Sequence, residues 1–155
     1  MKHTPEMQRV IDRMRPGVLT LHGFLGADRR ELEEILDVDD STVAGLGVTH
    51  AELARLLQDV LEQAAAGLGT KVSVADRLRA DYREVMGRIP CPWGDGSFQK
   101  GEVTLVDDET GETLRFSPLS IHMIAAHGFY DGRGSRFRVE PAALHRMLHT
   151  DRGPE

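Results

Sequence analysis

The hydrophobic period of this chain changes at Gly67–Thr70, and that change limits what it can fold into. Before it, apolar residues recur three and four apart: Met7, Val10, Ile11 and Met14; then Leu32, Ile35 and Leu36; then Leu53, Leu56, Leu57, Val60, Leu61 and Ala64. That spacing places each set on one face of a helix. Thr4-Pro5-Glu6 opens the first as N-cap, N1 proline and first-turn acid. Asp28 with Glu31, and Thr49 with Glu52, have the spacing of capping boxes for the second and third. The second is expected to weaken at Asp37–Ser41, whose side chains compete for backbone hydrogen bonds. After Thr70 the apolar residues alternate, as in Val72 and Val74 and in Leu78, Ala80 and Tyr82. Residues 76–89 admit a helical reading through Val74, Leu78, Val85 and Ile89, but the alternation favours a strand. Glu102–Val106 and Thr113–Phe116 read as a hairpin around the turn-forming Asp107–Gly111. Ser117-Pro118 caps a helix running to His127, with Leu119, Met123 and Ala126 inward and Gly128 as its stop. Pro141 opens a last helix with Leu144, Met147 and Leu148 inward. The expectation is an α+β fold: a helical lobe at 1–66 on a second lobe at 67–155 with a small antiparallel sheet and helices, its tail at 150–155 frayed.

At 155 residues one domain is the default, and about 70% of the unfolded surface can be buried without staples. The single cysteine, Cys91, excludes an internal disulfide and any two-cysteine zinc motif. No apolar run is long enough to span a bilayer, and no signal-peptide core stands near Met1. A reducing, bacterial-type cytoplasm is the expected setting. The formal net charge of −6 is uneven: residues 1–66 carry seven Lys/Arg against twelve Asp/Glu, and residues 116–155 carry five against four. Such a chain is a poor match for nucleic acid, which needs many cations against phosphate.

Several short motifs fail on their own requirements. Leu19–Gly26 resembles the oxyanion-hole loop of α/β-hydrolases, but no Gly-x-Ser-x-Gly elbow accompanies it. Asp37-x-Asp39-Asp40 is not a calcium loop, because Thr42 and Val48 stand where glycine and glutamate are required. Leu46–Arg55 is not followed by a recognition helix.

One constellation points to a specific chemistry, although it lacks a Cys-x2-Cys pair and Cys91 lies 25 residues before Phe116. Cys91 lies between two prolines in Pro90-Cys91-Pro92-Trp93-Gly94-Asp95, ahead of the hairpin, and prolines on both sides hold the thiol on a stiff knuckle. Phe116-x2-Leu119-x2-His122-x4-His127 spans the strand-to-helix junction. A thiolate with two imidazoles is good zinc chemistry, with Asp95 the nearest fourth ligand and water the other. Residues 91–128 resemble a degenerate Cys/His zinc-finger-like hairpin–helix unit. That resemblance implies a zinc ion on Cys91, His122, His127 and Asp95. A spacing of five turns the two imidazoles about 140° apart on an ideal helix, so the last turn is expected to tighten or unwind.

Gly132-Arg133-Gly134-Ser135-Arg136-Phe137-Arg138 follows, and Arg133, Arg136 and Arg138 could clamp an anionic ligand or a protein partner. The competing account pairs these arginines with the acidic N-terminal lobe. His145 and His149 form a further i, i+4 pair, expected to be exposed and without function. The leading functional expectation is a non-enzymatic protein with a structural zinc site and an anion- or partner-binding surface. One alternative is a metal-dependent hydrolase with an open Cys/His/His site and Asp95 or Asp131 as general base. The other is an interaction module with no metal.

Overall fold

Thr4 caps α1 (Pro5–Arg13), its hydroxyl accepting from the Met7 amide at 3.1 Å. The computed structural model describes residues 4–149, so the tail expected to fray at 150–155 lies outside the described residues. Two further helices follow, α2 (Leu32–Gly45) and α3 (His50–Ala65), then four strands: β1 (Val72–Ala75), β2 (Leu78–Pro90), β3 (Ser97–Asp107) and β4 (Thr113–Phe116). Helix α4 (Pro118–His127) comes next, and α5 (Pro141–Leu144) runs into a π-helical turn at His145–His149. The class is α+β.

The capping chemistry of α3 and α4 is as the sequence implies. Thr49 and Glu52 form a complete capping box. Ser117 and Ser120 form another, and Gly128 ends α4 in the left-handed region at φ 64°. Helix α2 departs from expectation twice. Asp28 does not cap it, because its carboxylate is taken by the Arg30 guanidinium at 2.6 and 2.9 Å and by the Arg133 amide at 3.0 Å. The helix starts instead at Leu32, with no side-chain cap on Glu31. It also runs unbroken through Asp37–Ser41 to Gly45. Asp39, in the middle of that stretch, is 3% exposed and held by Arg138, so a tertiary ion pair overrides the local competition.

The strands pair antiparallel in the order β1-β2-β3-β4. The alternating reading of residues 77–83 is therefore the correct one. Leu78, Ala80, Val103, Leu105, Leu114 and Phe116 point to one face, against α3 and α4. Strand β3 begins at Ser97, earlier than the expected Glu102, and pairs with β2 across a register shift between Glu84 and Arg88. Cys91 thus lies at the tip of a β2–β3 hairpin rather than ahead of a hairpin.

Helix α4 separates two apolar cores. Ile121 and Ile124 pack with α3, the sheet and Leu144, Met147 and Leu148. Leu119 and Met123 pack with Val10 and Met14 of α1, Leu32 and Ile35 of α2, and Cys91. Each of these buried aliphatic side chains contributes about 1.5–3 kcal/mol. Ala126, expected inward, is exposed. Both cores draw on residues before and after Gly67.

Candidate metal centre

The hairpin tip is shaped by its own sequence. Pro92 and Trp93 occupy a tight turn in which the Gly94 amide donates to the Cys91 carbonyl at 2.8 Å. The Cys91 amide in turn donates to the Gly96 carbonyl at 2.8 Å, closing the loop. Gly94, at φ 80°, takes a backbone conformation that other residues adopt only with strain. From α1, the Arg13 guanidinium donates to the Pro92 carbonyl and fixes the tip to the second core.

This loop points Cys91 and Asp95 at one side of α4. His122 Nε2 lies 3.0 Å from Asp95 Oδ1, and His127 Nε2 lies 2.8 Å from Asp95 Oδ2. One ligand atom from each of Cys91, Asp95, His122 and His127 falls within 4.8 Å of the other three. It is the one such group of His, Cys, Asp and Glu among the described residues. The helix does not unwind to achieve this, since α4 is α-helical through His127. Instead both side chains reach off the helix to the same carboxylate, their ring centroids 5.5 Å apart at 82°.

Two aromatic residues orient the imidazoles. Trp93 stacks on His127 at 4.1 Å with an interplanar angle of 7°, and Phe98 stacks on His122 at 4.5 Å. Neither has a motif signature. Trp93 stands two residues after Cys91, and Phe98 lies on β3.

The four side chains are electrostatically coupled. Burial raises the Cys91 thiol to about 12, and its hydrogen bond to the neighbouring Asp95 carboxylate adds to this. For Asp95, desolvation acts upward, but hydrogen bonds from Cys91, His122 and His127 outweigh it and hold the carboxyl well below its usual range. Burial lowers His127 against the opposing pull of Asp95. An ionised carboxylate can only accept, so both histidine Nε2 atoms carry hydrogen here. Cys91 is 1% exposed and its thiol holds its proton, so it has neither the access nor the thiolate character of a nucleophile.

The spacing fits a familiar metal chemistry. Cys91-x3-Asp95 and His122-x4-His127 fall within the ligand intervals of Cys2His2 sites, with Asp95 in place of the second cysteine. Donors on one zinc sit roughly 3.3–3.8 Å apart, the edge of a tetrahedron with arms of about 2.0–2.3 Å. Ligand atoms as far apart as 4.8 Å would close by about 1–1.5 Å to meet that figure, and the Asp95–histidine contacts at 3.0 and 2.8 Å would open slightly.

The other residues singled out from the sequence lie elsewhere. Arg138 is sequestered, donating to Asp39 at 2.7 and 3.0 Å, to Glu140 at 2.9 and 3.1 Å and to the Asp131 carbonyl at 2.8 Å. Arg136 forms a two-pronged pair with Glu102 at 3.0 and 2.7 Å. Arg133 is exposed. Asp131 accepts from the Ser135 hydroxyl at 2.7 Å and lines a cleft that includes none of the four cluster residues. His145 and His149 fall on the π-helical turn, and the side chain of His149 lies outside the described residues. Comparison with protein-family models, curated proteins and solved structures finds no match to this chain.

Proposed function

We propose that this chain binds one zinc-type ion on Cys91, Asp95, His122 and His127, and that the ion's role is structural. The observation that carries the reading is the convergence of four ligand atoms, of types that zinc prefers, from the hairpin tip and α4. Zinc takes a thiolate, so binding would displace the Cys91 proton. It would also move each histidine's hydrogen from Nε2 to Nδ1 with no net change in charge. The ion would then join the β2–β3 tip to α4, two elements otherwise linked here by hydrogen bonds and ring stacking.

A closed set of four protein ligands supports a structural role over a hydrolytic one, which keeps a position for water. Asp95, the nearest candidate for a general base, belongs to the ligand set, and Asp131 belongs to a different cleft.

Metal analysis of the purified protein tests this, together with zinc titration of chelator-treated protein. Trp93, the only tryptophan, stacks on a ligand, so its fluorescence reports the titration. One zinc per chain is expected, lost in Cys91→Ser and weakened in His122→Ala. A chain that takes up no stoichiometric zinc, and is equally stable with and without it, would overturn the proposal.

A further inference from the structure

A second region of the molecule is built like a binding site and shares no residue with the metal centre. Two loops expected to be connections interlock here. The Gly132 amide donates to the Phe24 carbonyl at 3.0 Å, and the Ala27 amide donates to the Arg133 carbonyl at 2.9 Å. The approach is close enough that a Cβ on Gly132 would lie 2.3 Å from the Leu25 carbonyl oxygen. With the β2–β3 hairpin and the start of α4, these loops wall a cleft of about 920 Å³. That is the size of a small-molecule site.

Its character is amphipathic. The lining includes Leu19, Leu21, Ile89, Leu119, Met123 and Phe137. At the register shift in β2, Val85 and Met86 are turned outward, 47% and 94% exposed. Val18 and Leu21 are 55% and 77% exposed on the facing loop. Single exposed apolar residues are ordinary, but of these four Leu21 and Val85 line the cleft itself, so its mouth sets exposed apolar surface beside the polar lining. On a chain of net charge −6, the lining also holds three cations, Lys100, Arg115 and Arg136. They face one accessible acid, Glu102, which Arg136 engages at 2.7 Å and Arg115 at 3.6 Å. The other acid, Asp131, is 3% exposed and accepts from Ser135. Its burial disfavours the charged form, so it opposes an incoming anion less than a surface carboxylate would.

We propose that this cleft binds a small amphipathic anion, a carboxylate on an apolar body, with the head at Lys100 and Arg136 and the body against Leu21, Ile89 and Phe137. The proposal is independent of the metal site. Of the three arginines that the sequence nominated for an anion, it retains Arg136.

Calorimetric titration of the full chain with decanoate below its micelle concentration is the test, with acetate and decylamine as controls. Decanoate binds one per chain, acetate does not bind, and decylamine binds more weakly than decanoate. Arg136→Gln weakens decanoate about three- to fivefold, and Glu102→Gln, which frees both arginines, tightens it by a similar factor. Circular dichroism of both variants checks that they fold. No saturable binding, equal binding of decylamine, or a shift of the same sign in the two variants would overturn the proposal. So would co-sedimentation with phosphatidylglycerol vesicles without binding of monomeric decanoate, which would assign the face to a membrane surface.

Discussion

The sequence offers Arg138 either as part of an anion clamp or as a partner of the acidic N-terminal lobe, and the structure makes it the centre of a buried ion pair with Asp39 of that lobe. Its side chain is 8% exposed and that of Asp39 is 4% exposed. Its two guanidinium nitrogens reach Asp39 at 2.7 and 3.0 Å, so α2 and the 131–140 loop are joined by two charge-assisted bonds. Arg138→Met keeps the aliphatic stem but leaves the Asp39 carboxylate buried without its partner. Glu140, more than half exposed, is left to water and adds little. Breaking one side of such a pair costs about 3–5 kcal/mol. At roughly 2–4 °C per kcal/mol for a chain of this size, the midpoint falls by about 6–20 °C. Asp39→Leu combined with Arg138→Met should recover most of that loss, because removing both charges also removes their desolvation cost. Urea unfolding followed by Trp93 fluorescence gives both numbers. A loss below about 1 kcal/mol for Arg138→Met, or a double variant no more stable than the single, would refute the argument and return Arg138 to the pool of free surface cations.

Two other outcomes follow from the same structure. Zinc at a hundredfold excess over its dissociation constant should stabilise the chain by about 2.7 kcal/mol, or roughly 5–11 °C in the midpoint, and Cys91→Ser should abolish the shift. Calorimetric unfolding with zinc and with chelator measures it. Asp131→Asn should stabilise the protein in a pH-dependent way. Burial raises the Asp131 carboxyl from 3.8 to about 7, so its favourable contribution is complete below pH 4 and is lost as pH rises through 7. The difference between variant and wild type should therefore be near zero at pH 4 and grow to at most about 4 kcal/mol above pH 7. Asparagine also tolerates the φ of 67° found at this position. Urea unfolding of both proteins at pH 4, 6 and 8 checks the trend, and a constant difference would contradict it.

The parts of this molecule that the sequence made legible are those decided within a few residues. The capping box at Thr49, the cap at Ser117, the left-handed stop at Gly128 and the period change at Gly67 all have local causes. Cys91, Asp95, His122 and His127 could be grouped from sequence because zinc chemistry restricts both the residue types and the short intervals between them. What was not legible depends on distant partners. Asp39 stabilises α2 where its own neighbourhood argues for a break, because its partner stands 99 residues later. Asp28 has the spacing of a cap but serves Arg30 and the Arg133 amide. Trp93 and Phe98 act on the histidines through stacking, which leaves no interval in the sequence to read. The amphipathic cleft comes from the interlocking of two loops more than 100 residues apart.

X-ray absorption at the zinc edge, on protein loaded with one equivalent, reads the ligand set itself. The account predicts one sulfur at about 2.3 Å and three nitrogen or oxygen ligands at about 2.0–2.2 Å, with imidazole scattering from two rings. A shell of oxygen and nitrogen alone, or one unaltered by Cys91→Ser, would contradict it.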